Sequence, residues 1–104
     1  MYKGTTPTFT FTLPETVDLE QATNVYVTFA RGDGTDFLRK TGQDLAIEAN
    51  TCSVYLSQQE TLAFPKTARI QINWTYAEGG LTKRACSEIK TIQLKDNLER
   101  EVLA

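Results

Sequence analysis

Apolar and polar residues alternate along most of this chain, and the clearest stretch runs from Ala68 to Tyr76. Its sequence, A-R-I-Q-I-N-W-T-Y, has an apolar residue at every second position and includes the only tryptophan of the chain. Strict alternation predicts a β-strand with one buried face and one face in water. Because large aromatic side chains contribute much of the stability of a core, we expect this strand to lie centrally in a sheet with Trp74 buried.

Six further stretches are predicted as strands, and turn-forming residues separate them; all show alternation except 36–41, where Phe37 and Leu38 are adjacent and leave the register open. They are residues 8–13, 24–30, 36–41, 44–49, 51–56 and 81–94. Short strands that recur about every 8 to 12 residues are typical of sandwiches. The pattern therefore predicts an all-β fold, an immunoglobulin-like antiparallel β-sandwich of about seven strands.

The last stretch, residues 81–94, is long for a single strand, and its alternation changes phase. Ala85 and Ile89 share one parity, whereas Ile92 and Leu94 share the other. A strand changes phase when it contains one extra residue. We therefore predict a β-bulge between Ile89 and Ile92.

One short helical turn is predicted just before the central strand. Ser57 and Glu60 have the spacing of a capping box, in which each side chain accepts a hydrogen bond from the backbone N–H of the other residue. Pro65 ends the turn. We expect Leu62 or Phe64 to lie beneath the sandwich.

The residues after the last predicted strand form a charged tail. We divide the chain into a sandwich, residues 1–95, and a C-terminal tail, residues 96–104. In the tail, Leu98, Val102 and Leu103 are spaced for a weak helix that is too short to be stable alone. The tail is either a frayed terminus or a contact segment whose apolar residues a partner covers.

Length and charge exclude several classes of protein. The 104 residues are enough for one domain. The formal net charge is −2 and the basic residues are dispersed, which argues against a nucleic-acid partner. No apolar run is long enough to cross a bilayer, and the first residues lack the apolar core of a signal peptide, so we expect no membrane partner.

Residues for catalysis or metal binding are few. The chain has no histidine, and Cys52 and Cys86 are too far apart for a zinc-site spacing. Asp33 and Asp36 share a short polar loop without a calcium-binding spacing, and Ser57 has no base to activate it. We therefore predict a protein that is not an enzyme, with no cofactor and no metal. Both thiols are expected to be reduced, although a disulfide between neighbouring strands stays open.

Two tyrosines are predicted to point away from the core, from different strands. Single exposed apolar residues are normal, whereas clustered ones mark an interface. The candidate partner contacts are these two tyrosines and the apolar residues of the tail: Tyr26, Tyr55, Leu98, Val102 and Leu103.

Four stretches carry a family resemblance. They are K-G-T-T-P-T-F-T-F-T-L-P (3–14), L-S-Q-Q-E-T-L-A-F (56–64), A-R-I-Q-I-N-W-T-Y…R-A-C-S-E-I (68–89) and the ending K-D-N-L-E-R-E-V-L. Together they resemble a family of short proteins encoded in phages and prophages of Gram-positive gut bacteria, over nearly the whole chain. More loosely, the chain resembles the N-terminal immunoglobulin-like domain of baseplate upper proteins in lactococcal-type phages.

The resemblance implies a structural protein of the virion, made in the host cytoplasm and present as a homo-oligomer or in several copies among other virion proteins. None of the matching stretches is catalytic. A tail or baseplate location is the first hypothesis, and a capsid decoration protein is the alternative. A small intracellular phage regulator, such as an inhibitor of a host defence, is an alternative of a different class, because the size and the mild negative charge allow it.

Overall fold

Eight antiparallel strands and one short α-helix make up the protein in this computed structural model, which describes residues 1–104. The strands are β1 (Thr8–Thr12), β2 (Asn24–Arg31), β3 (Asp36–Thr41), β4 (Leu45–Glu48), β5 (Thr51–Tyr55), β6 (Thr67–Glu78), β7 (Leu81–Cys86) and β8 (Lys90–Gln93). The helix α1 is Gln58–Leu62, and two 3-10 turns span Leu19–Gln21 and Gly42–Asp44. The predicted all-β sandwich is confirmed, and the eighth strand arises because the last predicted stretch divides in two.

The strands form two sheets that pack face to face. The smaller sheet has the order β1-β5-β4, and the larger has the order β3-β2-β6-β7, with β8 also paired to β6. This order corresponds to strands B-E-D and C′-C-F-G of the immunoglobulin arrangement, in which α1 occupies the corner between E and F. The position of strand A, beside β1, is filled by no strand of the smaller sheet.

Strand β6 is the centre of the larger sheet, as its alternation predicts. It pairs with β2 along one edge from Ala68 to Thr75, and with β7 and β8 along the other. Trp74 lies between Val25 of β2 and Ala85 of β7 and keeps only 8 % of its surface exposed. Burial of this ring between two neighbouring strands is the arrangement expected of a core aromatic.

Fifteen apolar residues form one buried core, drawn from the inward positions of both sheets. Its members are Phe11, Leu13, Leu19, Val25, Val27, Phe29, Cys52, Val54, Leu56, Phe64, Ala68, Ile70, Ile72, Trp74 and Leu94. An aromatic cluster closes the end near α1, where Phe64 packs edge-on against Phe29 at 5.4 Å and against Phe37 at 4.9 Å between ring centroids. Rings in this orientation add about 0.5 to 1.5 kcal/mol beyond the area they bury.

The predicted capping box is confirmed at the start of α1. Ser57 Oγ accepts from the Glu60 N–H at 3.2 Å, and the Ser57 N–H donates to Glu60 Oε1 at 2.9 Å. Of the two apolar candidates, Phe64 is the one that is buried. Thr61 is also fully buried, because its hydroxyl donates to the Thr5 carbonyl at 2.8 Å and so ties the helix to the amino-terminal segment.

The predicted change of phase is present between β7 and β8. Cys86 pairs with Asn73 and Lys90 pairs with Ile70, so five residues of this edge lie opposite four residues of β6. This edge therefore contains one extra residue. The irregularity begins at Ser87, earlier than the predicted segment 89–92. Ser87 donates its N–H to the Ile72 carbonyl and accepts the Ile72 N–H on its Oγ, so the hydroxyl replaces a backbone carbonyl in the ladder.

The turn between β4 and β5 differs from the prediction. The alternation placed Ala49 on the buried face and gave the left-handed position to Asn50. Instead β4 ends at Glu48, and Ala49 is exposed with φ 51°. The prediction was wrong because the Asn50 side-chain amide donates to the Leu13 carbonyl and fastens the turn to the end of β1.

The tail has the spacing of a helix that is too short to be stable alone, and it forms none: no residue after Lys95 belongs to a helix or strand. The tail is held at two points. The Asn97 side-chain amide donates to the Lys3 carbonyl at 3.0 Å. The Gln58 side chain donates to the Leu103 carbonyl at 3.0 Å and accepts the Leu103 N–H at 2.8 Å. These side-chain bonds to the tail's backbone favour a non-helical path past α1.

Candidate functional site: an open seam between the sheets

One side of the sandwich has a groove between the edge of one sheet and the edge of the other. Strand β1 pairs only with β5, and β7 pairs only with β6, so each has a free edge. Residues of both edges line a single groove of about 510 Å³. We call it the open seam, and its apolar lining is Phe11, Leu13, Val17, Trp74 and Ala85.

The free edge of β1 presents a row of unpaired backbone groups. The Leu13 N–H donates to the Asn50 carbonyl, which fixes the phase of the ladder between β1 and β5. In an antiparallel pair, alternate residues direct their N–H and C=O to opposite edges. Thr8, Thr10 and Thr12 therefore direct these groups away from β5, to the free edge.

The free edge of β7 presents a second row. Here the Ser87 N–H donates to the Ile72 carbonyl and fixes the phase of the ladder with β6. By the same alternation, Thr82, Arg84 and Cys86 direct their backbone groups away from β6. The seam is thus bordered on both sides by main-chain donors and acceptors that an added strand can pair with.

The amino-terminal segment closes one end of the seam. Tyr2 and Lys95 form a parallel bridge, in which the Lys3 N–H donates to the Lys95 carbonyl at 3.0 Å and the Lys95 N–H donates to the Met1 carbonyl at 2.7 Å. The outer edge of the chain just after β8 is therefore paired with a short parallel segment from the amino-terminal residues. Further along, toward Cys86, nothing pairs with it.

The hairpin of β6 and β7 extends beyond the other strands of the larger sheet. Strand β6 pairs with β2 only as far as Thr75, so Tyr76–Glu78 pairs with β7 alone. A second groove of about 350 Å³, which shares Val17 and Trp74 with the seam, continues beneath this hairpin. The molecule is elongated as a result, with extents of 53 × 30 × 19 Å.

The two predicted tyrosine contacts lie on opposite outer faces of the sandwich. Tyr26 belongs to the larger sheet, is partly buried, and has the guanidinium carbon of Arg39 5.5 Å from its ring centroid. Tyr55 belongs to the smaller sheet, and 55 % of its surface is exposed. The two rings therefore do not share one surface.

The three predicted tail contacts lie elsewhere again, near α1. Leu98 is fully exposed, and Val102 and Leu103 each expose more than half of their surface. The structure thus separates Tyr26 from Tyr55 and places Leu103 beside Gln58, and the roles of all five residues as partner contacts stay predictions. Of the residues that line the seam, Trp74 was predicted only as a core residue. The signal for the seam is the lack of an alternating stretch before β1, where strand A would lie.

The two cysteines are free thiols, as expected from the sequence. Cys52 is fully buried in the smaller sheet, whereas Cys86 is exposed on the larger. Burial raises the pKa of the Cys52 thiol to about 11. Cys52 therefore remains protonated and inert at neutral pH.

One partly buried ion pair connects α1 to the larger sheet. Lys40 Nζ lies 2.6 Å from Glu60 Oε2, and both side chains are largely buried. Burial raises the pKa of Glu60, but hydrogen bonds from Lys40 and from the Ser57 N–H outweigh it, so the net pKa lies below the ordinary value. Glu60 therefore serves both the capping box and the ion pair.

Comparisons with protein-family models, with curated proteins and with solved structures find no match to this chain. None of its helices is long and apolar enough to cross a membrane. No three residues of the types His, Cys, Asp or Glu lie close enough together to hold a metal ion. The geometry of the open seam is thus the main structural basis for a functional proposal.

Proposed function

We propose that this chain is a non-enzymatic structural protein of a phage particle, a tail or baseplate subunit that docks onto neighbouring virion proteins. The phage assignment rests on the resemblance of residues 3–14, 56–64 and 68–89. The docking role rests on one observation: two free strand edges border an apolar groove where an immunoglobulin-type sandwich has strand A. Strand addition to such an edge is a recurrent mode of protein recognition.

An extended segment of a neighbouring protein would enter the seam and pair with the free edge of β1. Its alternate side chains would contact Phe11 and Leu13 on the seam side, while the others face water. Phe11, Leu13 and Trp74 already retain only 6 to 8 % of their exposure. The seam is therefore shallow, and most of the gain on docking comes from main-chain hydrogen bonds and from shielding the edge.

The first experiment is quantitative mass spectrometry of purified particles, with copy number scaled to the major capsid protein. A copy number far below that of the capsid protein is the expected result for a tail or baseplate subunit. A number close to that of the capsid protein would overturn this location and favour capsid decoration. Complete absence from particles would overturn the structural role and favour the intracellular regulator.

A substitution at the β1 edge tests the docking mode. Thr10→Pro removes one free-edge N–H, and edge strands tolerate proline. It also removes the bond between Thr10 Oγ1 and Ser53 Oγ, which measures 2.9 Å. Thr10→Ala is the matched control, because it loses the same hydroxyl but keeps the N–H. We expect only the proline variant to lose incorporation into particles, by at least about tenfold, which corresponds to roughly 1.4 kcal/mol.

Both variants should be folded, which thermal unfolding checks independently. If Thr10→Pro melts cooperatively and enters particles as well as Thr10→Ala, then the β1 edge is not the docking edge. If both variants fail equally, the threonine hydroxyl and not the backbone edge is what the partner reads, and the strand-addition mode is wrong.

A further inference from the structure

The outer face of the larger sheet holds a polar pocket that is separate from the seam. It has a volume of about 200 Å³, and four neighbouring strands, β3, β2, β6 and β7, contribute to its wall. Its lining consists of Tyr26, Thr28, Arg39, Asn73, Trp74, Thr75 and Arg84. No carboxylate lines it. We call it the arginine pocket.

Arg39 leans into the arginine pocket from β3. In the strand register it stands opposite Thr28 of β2. Its guanidinium nevertheless lies over the ring of Tyr26, two residues along β2, with 5.5 Å from the guanidinium carbon to the ring centroid. This stacking holds the guanidinium over the middle of the sheet.

Arg84 leans into the pocket from the opposite side. It stands opposite Thr75 of β6, yet both its Nε and one of its terminal nitrogens donate to Asn73 Oδ1, at 3.1 and 3.0 Å. Asn73 is the direct partner of Tyr26 in the pairing of β6 with β2. The two guanidinium groups therefore converge on one row of the sheet, from strands at its two sides.

Neither guanidinium is neutralised by a carboxylate. The ion pairs of this protein join Lys40 to Glu60 and Lys83 to Glu78, and neither includes these arginines. The chain carries 13 acidic and 11 basic residues, so carboxylates are not in short supply. Two arginines that converge without a counter-ion leave a local excess of positive charge.

Hydrogen-bond donors complete the pocket. Because Asn73 Oδ1 accepts from Arg84, the Asn73 side-chain nitrogen is left to donate elsewhere. Thr75 Oγ1 is buried and has no hydrogen-bond partner. A hydroxyl oxygen without accessible surface offers no donor to a ligand, so the donors that the pocket presents are the two guanidinium groups and the Asn73 amide.

We propose that the arginine pocket binds a phosphate group. Phosphate presents several acceptor oxygens and a charge that two guanidinium groups match by bidentate hydrogen bonds. Arg39 and Arg84 would contact the phosphate oxygens from two sides, while the Asn73 side-chain amide donates between them. The pocket lies on the outer face of the larger sheet, and binding there does not depend on the docking role of the seam.

The test is a titration of the intact protein with inorganic phosphate, followed by ¹H–¹⁵N NMR at constant ionic strength. We expect saturable shifts at the guanidinium Nε–H of Arg39 and Arg84 and at the Asn73 side-chain amide. Arg39→Gln and Arg84→Gln should each weaken binding at least tenfold. Arg69→Gln is the charge-matched control, since Arg69 projects from the same face outside the pocket. It should bind phosphate like the unmodified protein.

Two further probes separate the sources of the signal. Dimethyl phosphate tests whether a diester fits, and acetate tests whether a carboxylate suffices. Binding of inorganic phosphate or of dimethyl phosphate, lost in both pocket variants, supports the proposal. Linear, non-saturating shifts, equal weakening in Arg69→Gln, or acetate binding as tight as phosphate binding would overturn it.

Discussion

Trp74 connects the core to the open seam, since it belongs to the buried cluster and also lines the groove. Trp74→Ala should lower the free energy of unfolding by about 3 to 5 kcal/mol, because truncating a buried aromatic loses both burial and packing. Urea denaturation measures this change in the free energy of unfolding. Tyr55→Ala is the control, since 55 % of Tyr55 is exposed, and it should change the free energy by less than about 0.5 kcal/mol. Equal effects of the two substitutions would contradict the central placement of Trp74.

The two thiols should react very differently. Cys86 is exposed, whereas burial raises the pKa of Cys52 to about 11 and shields its sulfur. With iodoacetamide at pH 8, intact-mass spectrometry should show one alkylated cysteine in the native protein and two in urea. Two modifications under native conditions would mean that β5 opens readily, and none would mean that Cys86 is covered.

Single residues were predictable where alternation alone decides their position. Val27, Phe29 and Val54 are inward by parity, and all are fully buried. Ala49 was not predictable, because its left-handed φ follows from a bond that Asn50 makes to a distant strand. A local pattern carries no information on such long-range partners.

Glu60 stabilises the junction between α1 and β3, and its contribution to the free energy of unfolding depends on pH. Its pKa is lowered in the folded protein, so its contribution is present above the unfolded-state pKa and is lost as the pH falls through the folded-state pKa. Glu60→Gln keeps the capping box but loses the ion pair with Lys40. It should cost about 1 kcal/mol at pH 7, a value at the upper end for ion pairs that are partly exposed.

The stability difference between Glu60→Gln and the unmodified protein should shrink toward zero as the solution is acidified below the folded-state pKa, as measured by thermal unfolding over a pH series. Glu78→Gln is the matched control, because its pair with Lys83 is much more exposed. It should change stability less at every pH. A difference for Glu60→Gln that is constant with pH would show that the ion pair is not its cause.

At the scale of elements, strands and their order along the chain were predictable, but their exact breaks were not. The phase change near the end of the chain indicated a bulge, yet its position is set by Ser87, whose hydroxyl takes the place of a carbonyl in the ladder. The same side chain type serves as a helix cap at Ser57. The two serines differ in which backbone N–H their hydroxyl accepts from in the folded protein, and the sequence does not show this.

At the scale of the whole molecule, the tail can be deleted without removing any part of a strand or helix. Residues 98–104 contribute exposed apolar side chains and two exposed hydrogen bonds between Gln58 and the Leu103 backbone, while Asn97 anchors the chain just before them to the Lys3 carbonyl. Deleting 98–104 should change the free energy of unfolding by less than about 0.5 kcal/mol, as for other exposed sites, but should reduce incorporation into particles. Quantitative mass spectrometry of the particles measures it. Normal incorporation would contradict a contact role for Leu98, Val102 and Leu103.

The sites of the whole molecule could not be predicted from the sequence, although its fold could. The seam exists because two strand edges from different sheets border one groove, and the arginine pocket exists because Arg39 and Arg84 meet across four strands. Both depend on strand order and register. In the sequence the basic residues are dispersed, whereas the sheet brings Arg39 and Arg84 to one pocket.

The bridge that closes one end of the seam has a consequence for biosynthesis. Met1–Lys3 bonds to Gln93–Lys95, so this segment must wait for its partner, which lies 92 residues further along the chain. At translation rates of about 5 to 20 residues per second, this wait is on the order of 5 to 20 s. For most of that time β1 is available while β7, its neighbour across the seam, has not yet been made. A partner strand present at the ribosome would therefore meet a longer open edge than the finished protein offers.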